Sequence, residues 1–172
     1  TLPPTRELFA MGYDSPRDRI LVFGGRTTGA ETIDGTTWEY TPGSVRWQAL
    51  TVTNPPPARY APGSAYFLDT GKFVIHGGTD AVGLRGDTWS YDGTTKTWVN
   101  SVVSGPVLDS PALAYDSVKK VLVLVGDNAG VSETWEWTGT GAWVKRSGAT
   151  KNLSRRSYPI LASDPIRKRL VA

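Results

Sequence analysis

The chain has 172 residues, of which 39% are hydrophobic and 20% are charged, a balance typical of a globular protein. Its 19 Gly, 12 Pro and 7 Trp predict an all-β, turn-rich fold, because Gly and Pro interrupt helices and Trp suits strands. Nineteen basic residues against 16 acidic ones leave a net charge of +3, which is too small and too mixed to predict nucleic-acid binding. The chain has no cysteine, which excludes disulfides and thiol nucleophiles within it, and no apolar run as long as the roughly 20 residues of a membrane span.

Three segments of the chain repeat one order of landmarks, and each segment predicts four short strands. A Tyr comes first, then an apolar run that ends in glycine, then a Thr-Trp-x-aromatic segment, then a second Trp. The apolar runs are ILVFGG at 20–25, FVIHGG at 73–78 and VLVLVG at 121–126. When the runs are aligned by their ends, Val125 stands where the other units have Gly24 and Gly77, which predicts a different strand exit in the third unit.

The repeats divide the chain into units at about 6–51, 58–101 and 108–146, and a fourth unit begins at about 155–172. An aspartate recurs at the turn between the first two strands of each unit, where Asp typically bonds the backbone of a tight turn. These aspartates are Asp14, Asp69, Asp116 and Asp164. They predict turn chemistry rather than a pair of catalytic carboxylates.

The combination of a double glycine after an apolar strand, an acidic-Thr-Trp-x-aromatic segment and a second Trp resembles the kelch repeat. The segment YDSPRDRILVFGG, followed by TWEY, is most similar to bacterial kelch proteins. The resemblance covers nearly the whole chain and implies β-propeller blades, each a four-stranded antiparallel sheet. The chain is then one partial propeller domain of about three and a half blades. Because many bacterial kelch proteins are exported, the resemblance favours an extracellular or periplasmic location.

The predicted number of blades does not close a ring, since propellers have about four to eight blades. We expect the exposed blade faces to pack against the remaining blades, supplied by the same longer chain or by another copy, because open strand edges promote association. Truncation of a longer propeller is the preferred expectation. Self-assembly and a stable open arc are the alternatives, and a simple ring of two copies fits poorly because neither copy begins with the two strands that the fourth unit lacks.

The loops between the second and third strands are expected to emerge on one face together with the segments that link the units. The resemblance implies that partners bind on this loop face. The three loops, at 26–36, 79–86 and 127–132, differ in length while the scaffold repeats, as binding loops on a rigid frame do. Candidate ligand-binding residues in them are Arg26, Asp34, Asp80, Arg85, Asp127 and Asn128. The alternative is that these are ordinary solvated loop residues.

The linking segments contribute a second candidate set, Arg6, Arg59 and Arg156, while the third unit has Leu108 at this position. Arginines at equivalent positions of several blades are able to bind carboxylates or acidic glycans through forked hydrogen bonds. The preferred alternative is that each arginine braces a neighbouring carbonyl or carboxylate, because a feature repeated in successive units usually belongs to the scaffold.

No catalytic constellation, metal site or cofactor site is predicted. The single histidine, His76, takes the place of Phe23 and Leu124 and is expected to pack between blades. The predicted function is a non-enzymatic binding module that presents its loop face to a protein or glycan partner. The alternative is a fragment of a carbohydrate-active kelch-propeller enzyme, galactose-oxidase-like or sialic-acid-epimerase-like, whose catalytic residues lie outside this stretch. A structural spacer is the third possibility.

Overall fold

A computed structural model describes residues 2–29, 31–44, 46–102, 104–146, 159–164 and 166–171. Within these residues the fold is all-β, as predicted, with three four-stranded and two two-stranded antiparallel sheets and one short 3-10 turn at Pro42–Ser44. Each four-stranded sheet has its strands in chain order, which is the arrangement of a propeller blade, and these residues form no closed ring. None of the described residues belongs to a helix that is long and apolar enough to cross a membrane.

The first blade has the strand order β2-β3-β5-β6, and its chain also forms a small ribbon, β1 with β4, beside the blade. The strands are β1 (Arg6–Glu7), β2 (Ala10–Asp14), β3 (Arg19–Phe23), β4 (Arg26–Thr27), β5 (Thr37–Thr41) and β6 (Arg46–Ala49). Because β4 begins the loop between the second and third strands of the blade, the ribbon anchors that loop to the segment that enters the blade.

The second and third blades follow the same plan. The second consists of β7 (Gly63–Phe67), β8 (Lys72–His76), β9 (Thr88–Asp92) and β10 (Thr97–Val102). The third consists of β11 (Asp109–Asp116), β12 (Val121–Asn128), β13 (Val131–Trp137) and β14 (Val144–Lys145). A further pair, β15 (Ala162–Asp164) and β16 (Arg169–Val171), packs against the third blade through Leu161 and Leu170, as expected for the start of a fourth unit.

The strand pairing corrects the alignment of the third repeat by one residue. Trp135 is paired with Leu124 across β13 and β12, just as the first Trp of the second repeat is paired with Ile75. Val125, not Leu124, is therefore equivalent to His76. The prediction that Val125 replaces a glycine is wrong, because a one-residue shift in register moves every side chain to the opposite face of the sheet.

The third blade nevertheless leaves its second strand differently from the others, as predicted. In the second blade, Gly77 and Gly78 have φ values of 66° and 84°, and they turn the chain out of the sheet. Their equivalents in the third blade are Gly126 and Asp127, which stay in β12 and continue its pairing with β13. The loop at this position is therefore replaced by a two-stranded ribbon that projects beyond the blade.

Adjoining blades are held together by aromatic and aliphatic clusters. The first interface contains Leu21, Phe23, Phe73, Ile75, Trp89, Tyr91 and Trp98. The second contains Phe67, Val74, Leu108, Leu113, Leu122, Leu124, Trp137 and Trp143. Both clusters draw side chains from two blades, so the blades stabilise one another rather than folding around separate cores.

The second Trp of the second repeat and that of the third repeat each make the same hydrogen bond to the blade before them. The indole N–H of Trp98 donates to the Thr37 hydroxyl at 3.1 Å, and that of Trp143 donates to the Thr88 hydroxyl at 2.8 Å. In the first blade, the equivalent Trp47 contacts Tyr40, with 5.2 Å between ring centroids. Because the same Trp–Thr hydrogen bond is found at both interfaces, we call it the Trp–Thr joint between neighbouring blades.

The outer face of the first blade is exposed in part, since Val22 and Trp38 on this face are buried. Met11 and Tyr13 are 56% and 52% exposed, whereas Gly12 between them lies against the Phe73 ring of the second blade. Alternate residues of a strand face opposite sides of the sheet, so Met11 and Tyr13 point away from the second blade. That further blades pack on this face stays a prediction.

Candidate functional site

Arg59 is fully buried and forms a brace within the second blade. Its guanidinium donates to both carboxylate oxygens of Asp87, at 2.6 and 3.0 Å, and to the carbonyl oxygens of Gly77 at 3.0 Å and Pro57 at 3.2 Å. Burial alone would raise the pKa of Asp87, but the hydrogen bonds from Arg59 and from the Trp89 indole lower the pKa below its ordinary value. Arg59 therefore has no surface to offer a ligand.

Arg6 repeats this brace in the first blade. Its guanidinium donates to the Gly24 carbonyl oxygen at 2.9 Å and to the Asp34 carboxylate at 3.2 Å. In the third blade the brace is replaced by Leu108, which is buried in the interface cluster. Arg6 and Arg59 therefore brace neighbouring carbonyl and carboxylate groups, as the preferred alternative in the sequence analysis expects. Asp34, a candidate ligand-binding residue, is the carboxylate of the Arg6 brace. Arg156 lies outside the described residues.

The loop of the second blade is a small, internally bonded turn. Asp80 is buried, and its carboxylate accepts the backbone N–H groups of Val82 at 2.8 Å and Gly83 at 3.1 Å, and the Arg85 guanidinium. Burial would raise the pKa of Asp80, but these hydrogen bonds outweigh it and lower the pKa. Asp80 and Arg85 therefore shape the loop, and the loop presents two apolar side chains, Val82 and Leu84, to the solvent.

The loop of the first blade is tied to neighbouring segments by Arg26. Its guanidinium forms an ion pair with Glu7 at 2.6 Å and lies over the Tyr60 ring, 5.3 Å from the centroid. The Asp34 carboxylate accepts the Thr36 N–H at 2.6 Å, which fixes the end of the same loop. Both candidate residues of this loop thus have intramolecular partners.

The third loop is the ribbon at the end of β12 and β13. Its two turn residues, Ala129 and Gly130, have φ values of 51° and 89°, which is typical of a tight hairpin turn. The Asp127 carboxylate accepts the Gly130 N–H at 2.9 Å, and the Asn128 amide donates to Glu133 at 3.1 Å. These bonds stiffen the ribbon, so its side chains are held in place before any partner arrives.

A groove of about 490 Å³ lies between the second-blade loop, the segment that links the second and third blades, and the third-blade ribbon. We call it the loop-face groove. Its lining residues are Leu84, Val107, Asp109, Asp127, Asn128, Ala129 and Gly130. Leu84 and Val107 are 46% and 51% exposed, and Asp109 lies opposite Asp127 across β11 and β12. The groove thus combines apolar walls with two neighbouring carboxylates.

Only part of this groove was predicted. Asp127 and Asn128 were candidates in the sequence, and the structure brings them together here, whereas Arg26 and Asp34 lie in the loop of the first blade. The sequence analysis missed Leu84, Val107 and Asp109. Single apolar residues within loops carry no periodicity, so the only available signal was that large apolar side chains stand in segments predicted to be exposed.

His76 lies fully buried behind this region, between the second and third blades. Its Nε2 is 2.9 Å from the Pro106 carbonyl oxygen, which only accepts, so Nε2 is protonated. Nδ1 therefore accepts from the Thr88 hydroxyl at 2.9 Å, and that oxygen accepts the Trp143 indole N–H. Burial lowers the pKa of His76 to about 4. Among the described residues, no cluster of three or more His, Cys, Asp or Glu side chains suits a metal ion.

Lowering the pH from about 7 to about 5 is expected to reduce the free energy of unfolding by about 2 kcal/mol through His76. Its pKa is depressed in the folded chain, so the unfolded chain takes up a proton near pH 6.5 that the folded chain excludes until about pH 4. Urea unfolding monitored by tryptophan fluorescence measures this slope. The control is His76→Phe, which introduces the residue that the first blade has at this position. This variant should lose the dependence of the unfolding free energy on pH between 7 and 5. An equal dependence in both proteins would contradict the prediction.

Comparison with known proteins finds no family model and no curated protein that matches this chain. Functional inference therefore rests on the repeats and on the geometry of the described residues. Within that geometry, the loop-face groove is the place where exposed apolar surface, carboxylates and rigid loops meet.

Proposed function

We propose that this chain is part of a kelch-type β-propeller that acts as a non-enzymatic binding module, and that its loop-face groove binds a protein partner. The single observation that carries this proposal is the exposure of Leu84 and Val107 within one groove beside Asp109 and Asp127. Exposed apolar side chains gathered in a concave surface are typical of interaction sites.

The rigidity of the groove supports a binding role. Asp80 fixes the loop that presents Leu84, and the paired strands of the ribbon fix Asp127. A partner that binds to preordered walls loses less conformational entropy on the protein side, so more of the contact energy appears as affinity. The Arg59 brace fixes both ends of the second-blade loop through its bonds to Gly77 and Asp87.

The chemistry of the groove indicates the kind of segment that it binds. Asp109 is exposed at the edge of the groove, where its carboxylate is able to accept charge-assisted hydrogen bonds from a basic side chain. Leu84 and Val107 offer apolar contact next to this carboxylate. We therefore expect a protein segment that places a Lys or Arg beside an aliphatic or aromatic side chain, a combination that suits this groove better than a neutral glycan.

Selection from a random peptide library displayed on phage tests this function. Peptides enriched on the chain should pair a basic residue with an apolar one. Leu84→Ser and Asp109→Asn should each weaken the binding of an enriched peptide by about tenfold, which corresponds to about 1.4 kcal/mol.

The matched control is Val82→Ala, because Val82 is 83% exposed on the same loop but does not line the groove. This variant should bind the enriched peptide with unchanged affinity. Enriched peptides without basic residues, or equal weakening by the control, would overturn the assignment of the loop-face groove.

A further inference from the structure

A second groove, of about 480 Å³, lies at the rim of the interface between the second and third blades, among the turns on the side away from the loops. We call it the rim groove. Its lining residues are Thr70, Lys72, Ser90, Asp92, Thr95, Thr97, Val99, Ser101, Trp137 and Gly139. None of these residues lines the loop-face groove, so the two sites are independent.

The equivalent space between the first and second blades is filled by charged side chains. The Arg17 guanidinium crosses the interface and donates to the Gly93 carbonyl oxygen at 2.7 Å. Glu39 forms ion pairs with Arg17 at 3.3 Å and with Arg19 at 3.4 Å. Three charged residues therefore narrow the rim of this interface.

The next interface has smaller side chains at the equivalent positions, and this difference opens the rim groove. Strand pairing makes Thr70 equivalent to Arg17, Ser90 to Glu39, and Gly139 to Gly93. The Thr70 methyl reaches toward Gly139 but is too short to fill the space that a guanidinium fills in the preceding interface. The larger groove without Arg17 and Glu39 equivalents is thus specific to this interface, whereas the smaller groove at the first interface is lined by Asp14 and Arg17.

Hydroxyl groups supply most of the polar lining. Ser90 and Ser101 are hydrogen-bonded to each other at 2.7 Å, and the Thr97 hydroxyl donates to the Thr95 carbonyl oxygen at 3.2 Å. A hydroxyl carries one donor and two acceptor positions, so each of these groups keeps further hydrogen-bonding capacity. This lining offers both donors and acceptors to a ligand.

The remaining lining is apolar, apart from one ion pair whose two charges cancel. Val99 is 53% exposed, and Trp137 forms part of the opposite wall. Lys72 forms an ion pair with Asp92, which cancels the two charges. A smaller groove of about 270 Å³ at the rim of the first interface shares Lys72, Asp92 and Thr70 with the rim groove, but its other wall carries the charged side chains of Asp14 and Arg17.

We propose that the rim groove binds a neutral sugar through a single hexose ring. A sugar ring carries hydroxyls that both donate and accept, and its C–H groups suit the exposed apolar surface of Val99. The volume lies within the range of small-molecule sites, and the neutral lining disfavours an anionic or cationic ligand. Binding here does not depend on the function of the loop-face groove.

The test is an NMR titration of the ¹⁵N-labelled chain with methyl β-glucoside, methyl β-galactoside, cellobiose and lactose, together with the anionic probes glucose 6-phosphate and N-acetylneuraminic acid. At least one neutral sugar should give saturable shifts of the amides of Ser90, Val99 and Gly139. The variant Thr70→Arg/Ser90→Glu introduces the residues of the first interface, which the same fold already accommodates, and should weaken sugar binding by about tenfold or more.

Two further variants keep the outcome decisive. Ser101→Ala removes one hydroxyl without filling the groove and should weaken the same sugar several-fold, while Leu84→Ser in the loop-face groove should leave sugar binding unchanged. The proposal is overturned if no neutral sugar gives saturable shifts, if only the anionic probes bind, or if the Thr70→Arg/Ser90→Glu variant or Ser101→Ala binds the sugar as tightly as the original chain.

Discussion

Replacing Arg59 with Leu is expected to lower the free energy of unfolding by about 3–5 kcal/mol, because it removes one partner of a buried ion pair. The Asp87 carboxylate would then keep only the Trp89 indole as a side-chain donor. The Gly77 carbonyl oxygen would lose its hydrogen bond to the guanidinium as well. Urea unfolding followed by tryptophan fluorescence measures the loss.

Adding Asp87→Asn to Arg59→Leu should restore stability, and the third blade shows why. There, Leu108 stands in the place of Arg59, and the carboxylate at the equivalent of Asp87 is Glu133, which pairs with Lys145 instead. Arg59→Leu/Asp87→Asn removes both charges and should therefore recover most of the stability that Arg59→Leu loses. If the double variant is as unstable as the single one, the stranded carboxylate is not the cause.

The pH dependence of the same variant gives a second readout. Because the pKa of Asp87 is lowered in the folded chain, the brace contributes stability above the ordinary carboxyl pKa of about 4. That contribution is lost as the pH falls further and the carboxylate is protonated. In Arg59→Leu the buried Asp87 loses the hydrogen bonds that lower its pKa, so the difference between the original chain and the variant should be full near neutral pH and should already shrink above about pH 4, as the variant's carboxylate takes up a proton.

The fold could be predicted because its landmarks repeat. Trp residues at matching spacings and the glycines after the apolar strands predict four strands per unit, and the structure has three sheets of this kind. The register of the third repeat is ambiguous within VLVLV itself, because every residue of that run is apolar. Alignment by the tyrosine of each unit, rather than by the end of the apolar run, gives the observed register, since Tyr115 precedes Leu122 by seven residues just as Tyr66 precedes Phe73.

The two grooves were harder to predict, for different reasons. The loop-face groove depends on Leu84 and Val107, which are close in space but belong to separate irregular segments, and no periodic pattern relates them. The rim groove depends on a difference between repeats: Arg17 fills one interface, and Thr70 fails to fill the next. That difference is visible in an alignment of the repeats, but its consequence requires knowing which residues face each other across blades.

Replacing Trp98 with Ala is expected to cost about 3–5 kcal/mol of unfolding free energy, because the cavity would open at the centre of the first interface. Trp98 is fully buried, with its ring 5.1 Å from Phe23 and Tyr91 and 6.0 Å from Phe73. Trp98→Phe keeps most of the volume but removes the indole N–H that bonds Thr37, and should cost about 1–3 kcal/mol. Urea unfolding measures both effects.

Trp47→Ala is the matched control, because Trp47 is the equivalent residue of the first blade, where the outer face is exposed. With the chain as a monomer, this variant should cost about 1 kcal/mol or less, since the ring is already partly in water. If further blades cover this face through the same Trp–Thr joint, its cost should approach that of Trp98→Ala, and it should depend on protein concentration when a second copy supplies the blade. A cost below about 1 kcal/mol for Trp98→Ala would contradict the view that this joint holds the blades together.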